Sequence, residues 1–149
     1  MFEHLFVYAA TLDAQADGSF IVRFPDLPEA LTDGVGLIEA LTHAADCLSE
    51  ALAGRISNNE DIPSPSSAQS SSHLIAPEPT IALKAALHTA LRDHDLTVAD
   101  LARRLNIDYR QAARLVDPAS ASKLTSLQGA LDALGYEVAI AIQEKPAAA

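Results

Sequence analysis

Residues 97–115, TVADLARRLNIDYRQAARL, leave a chain few ways to fold. Leu101, Leu105, Ala112 and Leu115 are apolar, most positions between them are polar, and the pattern breaks at Asn106. Apolar residues three and four apart form one buried stripe on a helix. Two such stripes occur here, each too short to be stable as an isolated helix, so they must pack on each other and on further helices. Asn106 takes the turn, being the residue that tolerates the left-handed conformation best after glycine. Ala102 is the small residue facing the second helix, Ile107 plugs the core, and Asp108 caps the next helix. This is the layout of a helix-turn-helix centred on Leu96 to Leu115, a Cro/repressor-like unit whose second helix enters the major groove of DNA. Tyr109, Arg110, Gln111, Ala113 and Arg114 then form its outer face, with Arg103 on the helix before. Arg110 and Arg114 are one turn apart and lie side by side, and arginine there pairs with guanine edges or phosphates.

The surrounding residues read as further helices, over Ile81 to Arg92 and over Leu124 to Leu134, the second ending at Gly135. Tyr136 to Ile142, YEVAIAI, alternates like a short terminal strand. An unpaired strand exposes an edge, and a helix-turn-helix protein reading a palindrome is usually two-fold symmetric. A homo-oligomer, dimer or tetramer, is expected, with Tyr136, Val138 and Ile140 at its interface. The DNA-binding domain is bounded at 80–143, and 144–149 reads as a disordered tail.

Charge divides the chain in two. The net charge is -10. Residues 1–79 hold 12 acidic and 2 basic residues, whereas residues 80–149 hold 8 of each. Four of the basic ones, Arg103, Arg104, Arg110 and Arg114, fall within 12 positions. Phosphate contact needs positive charge, so only the second half suits nucleic acid. The first half suits a basic partner.

That first half reads as strands and one helix. Leu5 to Leu12 is a buried strand, Ala16-Asp17-Gly18 a hairpin turn, and Ser19 to Phe24 an alternating strand ended by Pro25 and Pro28. Ala30 to Thr32 is a short third strand and Asp33-Gly34 a turn. Leu37, Leu41, Ala44, Leu48 and Leu52 stripe one helix, with Gly54 at its C-terminal cap. Residues 57–79 contain seven Ser and four Pro, the composition of loop, apart from His73 to Ala76, which can return as a strand. The domain is therefore 1–56 with 72–78, and 57–71 is a Ser/Pro linker. The fold class is α+β: a small antiparallel sheet with one helix in the order β-β-β-α-β, then an all-α domain with a short C-terminal strand.

Several classes fall away. No stretch approaches the length of a membrane span, and the N-terminus lacks the positive charge of a signal peptide, so no membrane partner and a cytoplasmic location are expected. The single Cys47 excludes an internal disulfide and a multi-cysteine zinc site, and reads as a small core residue. His43 and Cys47 are four apart, but two ligands make no structural metal site. Asp13, Asp17, Asp26, Glu29 and Asp33 could be imagined around two metal ions. Asp17 and Asp26 stand where turns ordinarily place Asp, and no basic residues stand near. No catalytic residue, metal or cofactor is expected.

The run Asp17-Gly18, Phe24-Pro25-Asp26-Leu27-Pro28, Thr32-Asp33-Gly34 and Glu39-Ala40 resembles the HicB family of antitoxins. LARRL at Leu101 to Leu105 and RLVDPASASKLTSLQGALDALG at Arg114 to Gly135 resemble its helix-turn-helix variant, so only the linker and tail fall outside. The resemblance implies a partial ribonuclease-H-like N-terminal fold without an active site. That domain would bind and neutralise a HicA-type toxin, an mRNA-cleaving ribonuclease. The C-terminal domain would bind operator DNA and repress the pair's own operon. Asp26, Glu29 and Asp33 are the residues named for toxin contact. The chain departs from the family at Asn106, where Gly is common, and at Val35-Gly36-Leu37-Ile38, a less polar helix start. The competing reading is a stand-alone transcriptional regulator whose first half senses another protein or a ligand.

Overall fold

The computed structural model describes residues 6–69 and 72–146. It divides into two compact units, one from the described parts of Met1–Ala51, Pro63–Glu78 and Ile142–Ala149, the other from Leu52–Ile62 and Pro79–Ala141.

In the first unit the order is β1 (Tyr8–Ala14), β2 (Ser19–Arg23), β3 (Leu31–Val35), α1 (Leu37–Ser57) and β4 (His73–Ile75), with α1 running on into residues of the second unit. The β-β-β-α-β order is the one read from the sequence. The strands make one sheet, β3-β2-β1-β4, antiparallel throughout. The first expected strand begins at Leu5, outside the described residues. Leu12 faces Val22, Val22 faces Thr32, Phe20 faces Gly34 and Tyr8 faces Ile75. Side chains alternate along strands, so these positions share one face, and Tyr8, Val22 and Ile75 are buried on it. Ala44, Leu48 and Leu52 of the expected stripe are fully buried along α1, whereas Leu37 and Leu41 are half-buried and Ala40 takes the first buried place.

Sheet and helix approach closely at Gly34. A Cβ built there would stand 2.5 Å from the Ala40 nitrogen and 2.6 Å from its Cα. Gly34 is thus needed for its missing side chain, not for a turn. The expected Asp33-Gly34 turn is corrected: both residues lie in β3, and the chain reverses at Gly36, whose φ is +79°. The other face of β3 carries Leu31, Asp33 and Val35, all exposed. The Asp17 turn is as expected: its carboxylate accepts from the Ser19 amide and hydroxyl, which holds its pKa below the usual carboxylate range.

Gly54 does not end α1 as expected. The helix continues to Ser57 and closes at Asn59, φ +54°, with the Glu60 amide bonded to the Arg55 carbonyl. This closure recurs in the second unit, which contains α2 (Pro79–Asp93), α3 (Val98–Leu105), α4 (Tyr109–Val116) and α5 (Leu124–Ala133). Asp95, Asn106 and Gly135 have positive φ, and the amide of the next residue reaches back five positions to Leu91, Ala102 and Leu131. These are Schellman-type ends. The residue after each, Leu96, Ile107 or Tyr136, packs on the core. That core joins Leu87 and Leu91 of α2, Leu101 of α3, Ala112 and Leu115 of α4, and Leu127 and Leu131 of α5.

Residues 136–142 form no strand in the single chain; a ladder needs a partner, and none of the described strands pairs with them. The expected C-terminal strand is corrected accordingly. Of the expected tail, 144–146 has no regular structure and 147–149 lies outside the described residues.

Two glycine substitutions should part company. Gly34→Ala should destabilise by about 1–3 kcal/mol, the usual range for overpacking. Gly54→Ala, in an open helical position, should be neutral or stabilise by up to about 1 kcal/mol. Urea unfolding monitored by circular dichroism checks both.

Candidate functional site

Helices α3 and α4 have eight residues each, so their termini decide whether they form. Each begins with a reciprocal capping box. In the first, the Thr97 hydroxyl accepts from the Asp100 amide while Asp100 accepts from the Thr97 amide at 2.8 Å. In the second, Asp108 accepts from the Gln111 amide at 2.8 Å and Gln111 Oε1 accepts from the Asp108 amide at 3.2 Å. Between the helices, Asn106 adopts φ 54° and ψ 46°, the left-handed turn expected of it.

The far end of α4 is held by a residue that the sequence reading passed over. Lys84 of α2 is fully buried. Its Nζ donates to the carbonyls of Arg114 (3.0 Å), Asp117 (2.5 Å) and Ser120 (2.6 Å). The signal was present: Lys84 lies three residues after Ile81 and three before Leu87, on the buried stripe of α2.

Among the residues named for DNA contact, Tyr109, Arg110, Gln111 and Arg114 are exposed and Ala113 is half-buried. Arg110 and Arg114 take part in no ion pair among the described residues, and neither does Arg104, which the sequence analysis counted only for charge. Arg103 differs: it is exposed but paired with Asp100. Gln111 has its carbonyl oxygen committed to the cap, leaving its amide nitrogen outward. Asp100 accepts from the Thr97 amide, the Thr97 hydroxyl and Arg103, in that order of effect, which holds its carboxyl below the usual range.

The acidic residues of the first unit do not converge. Asp26 accepts from the Ser66 amide (2.9 Å) and hydroxyl (2.7 Å). Asp13 lies 3.8 Å from Arg23, Glu29 is exposed in the loop before β3, and Asp33 stands on the exposed sheet face with its carbonyl bonded by His43 Nδ1 at 2.7 Å. Among the described residues no group of three or more His, Cys, Asp or Glu could hold a metal ion. Cys47 is half-buried, not fully in the core, and burial pushes its thiol pKa up. No helix among the described residues is long and apolar enough to cross a membrane.

The Ser/Pro stretch is tied down at several points. The Tyr8 hydroxyl donates to the Pro63 carbonyl at 2.7 Å, within the first unit. In the second, Arg92 pairs with Asp61 at 2.7 Å and donates to the Asn59 carbonyl at 2.9 Å, while His88 Nε2 donates to the Glu60 carbonyl at 2.7 Å.

Residues 7–86, the whole sheet, α1 and the start of α2, match the family model of the HicB-like antitoxin of bacterial toxin–antitoxin systems. The chain belongs to the HicB family of antitoxins. Antitoxin HicB of Escherichia coli is 35% identical over 133 residues, covering 89% of this chain and 96% of that protein. Antitoxin HicB 1 of Photorhabdus laumondii is 31% identical over 147 residues, covering 95% and 94%. Antitoxin HicB of Pseudomonas fluorescens is 29% identical over 140 residues, covering 93% and 95%. The likeness to these HicB proteins therefore takes in α3 and α4, beyond the end of the family match. An antitoxin of a toxin–antitoxin system has a toxin for its partner, as the resemblance implied.

The Asp100 cap gives a pH signature. A carboxyl whose pKa is lowered on folding stabilises the fold above its unfolded value and loses that contribution as pH falls through the folded value. Asp100→Asn should lower the melting temperature at pH 7, and the gap to the parent chain should narrow as pH falls below 4. Thermal melts at both ends of that range check it.

Proposed function

We propose that this antitoxin neutralises a HicA-type mRNA-cleaving ribonuclease through its acidic N-terminal unit. It represses its own operon by reading operator DNA with α4, the second helix of a helix-turn-helix. The observation that carries the DNA half is the pair Arg110 and Arg114. Both are exposed and without an ion pair among the described residues, on a helix fixed at its start by the Asp108 box and at its end by Lys84. Charged groups left without internal partners on a held helix are available to phosphates and guanine edges. Tyr109 and Ala113 complete that face, the Gln111 amide nitrogen adds a donor, and Arg103 serves phosphate if it leaves Asp100.

The toxin half rests on family membership and on charge. The β3-β2-β1-β4 sheet and single helix of the first unit are read here as the partial ribonuclease-H-like fold that the family resemblance implies. Its exposed sheet face combines Asp33 with the apolar Leu31 and Val35, a surface suited to a basic partner with an apolar centre. Of the three residues named for contact, Asp33 is the best placed, Glu29 lies in the loop leading to it, and Asp26 has spent its oxygens on Ser66.

Self-association completes the reading. Tyr136 and Val138 already pack against their own core, whereas Ile140 is 72% exposed. A second copy that pairs with residues 136–142 would supply the missing strand neighbour and cover Ile140. That two-fold unit would present two copies of α4 to a palindromic operator.

Arg110→Ala and Arg114→Ala should each weaken binding to the duplex upstream of the gene by about 1–3 kcal/mol, roughly five- to 150-fold. Gel shift or anisotropy titration measures this, and unchanged affinity in both variants would overturn the assignment of α4. Co-expression with the adjacent reading frame should rescue growth, and Asp33→Lys should weaken that rescue. If the parent chain gives no rescue, the antitoxin pairing with that neighbour fails.

A further inference from the structure

We propose that Lys84 is a positioning residue for Arg114: its buried ammonium grips the last turn of α4 and so sets how Arg114, but not Arg110, meets DNA. The inference rests on the reading of α4 as the DNA-contacting helix. Lys84 has three donors and no acceptor, and all three are spent on the carbonyls of Arg114, Asp117 and Ser120. It has no ion-pair partner among the described residues. Asp117, whose charge acts on Lys84, gives its carboxylate oxygens to the Ala119 amide (2.9 Å) and the Ser120 hydroxyl (3.2 Å).

Burying an ammonium without a paired anion is unfavourable. An apolar side chain of similar length would fill the same space without that penalty. What it would not supply is the convergence of three carbonyls from the C-terminal end of α4 and the loop beyond. The Arg114 carbonyl belongs to the negative end of the helix dipole, which favours a cation there. Desolvation pulls the Lys84 pKa down, and the charge of Asp117 works against it.

The effect is local because Arg114 is itself one of the three gripped residues. Its carbonyl accepts from Lys84 and, at 3.4 Å, from the Ser122 hydroxyl. Arg110 lies one turn earlier, in the half of α4 fixed by the Asp108–Gln111 box. One end of the helix therefore depends on a tertiary contact and the other on a local one.

The test is a pair of double-mutant cycles in the full chain, using the duplex immediately upstream of its own reading frame. Lys84→Met should weaken binding about tenfold. Combined with Arg114→Ala it should add less than about threefold, while combined with Arg110→Ala it should keep its full effect. Global destabilisation would make both cycles alike, so equal coupling in the two, or parent-like binding by Lys84→Met, overturns the proposal. Amide exchange in the free protein gives a second readout. Protection at Asp117, Ala119 and Ser120 should fall in Lys84→Met while that of α5 is kept, and unchanged protection overturns the grip. If the parent chain fails to bind the duplex, the DNA reading fails separately, and exchange alone decides whether Lys84 holds the end of α4. Should Lys84→Met not fold, Lys84→Arg carries both measurements, since a planar fork cannot converge on three carbonyls as an ammonium does.

Discussion

An eight-residue helix exposes almost as many unsatisfied backbone groups as it satisfies. Much of the second unit is organised around that deficit. The Thr97–Asp100 and Asp108–Gln111 boxes supply partners at the starts of α3 and α4. Asn106 turns the end of α3 back on itself, and Lys84 gathers carbonyls from the end of α4. Leucines and alanines then close the core, but they can do so only because the short helices have defined ends. The exposed arginines of α4 inherit their placement from this arrangement.

Much of this was legible in the sequence where the signal is local. Asn106, Asp108 and the stripes through Leu101 and Leu115 follow from neighbours a few residues apart, and α4 begins directly after the cap that the pattern put at Asp108. The left-handed closures at Asn59 and Asp95 carry no such local signal, although α2 ends within one residue of the expected Arg92. Nothing in an isolated Asn or Asp tells a cap from a surface residue. Gly54 was read as a cap because glycine usually is one, yet its position in α1 makes no demand for positive φ. At Gly34 the opposite happened: the glycine is required, but by the backbone of Ala40, only six positions on, and the side-chain pattern does not show that β3 and α1 bring the two together.

Long-range polar contacts account for the rest. The Ser/Pro stretch has the composition of a free connector, but Tyr8 and Asp26 hold one part of it and His88 and Arg92 another. These partners lie 28 to 55 positions away. The same holds for Lys84, which bonds to carbonyls 30 to 36 positions along the chain. Lysine is so often a solvated residue that its place on an apolar stripe was the only sequence clue. The terminal alternation from Tyr136 to Ile142 misled in the other direction. It has the period of a strand, yet a period names a conformation only when a neighbour completes the ladder.

The capping box at the head of α4 also sorts its residues by how freely they can change. Asp108 and Gln111 hold each other, so replacing either one leaves the other without its partner. Tyr109, Arg110 and Arg114 bind nothing inside the unit through their side chains among the contacts described. If α4 reads operators as proposed, related lineages can retune their preferred sequence at those three places without disturbing the scaffold. Two such systems in one cell could then diverge until neither answers to the other's promoter, while keeping the same fold.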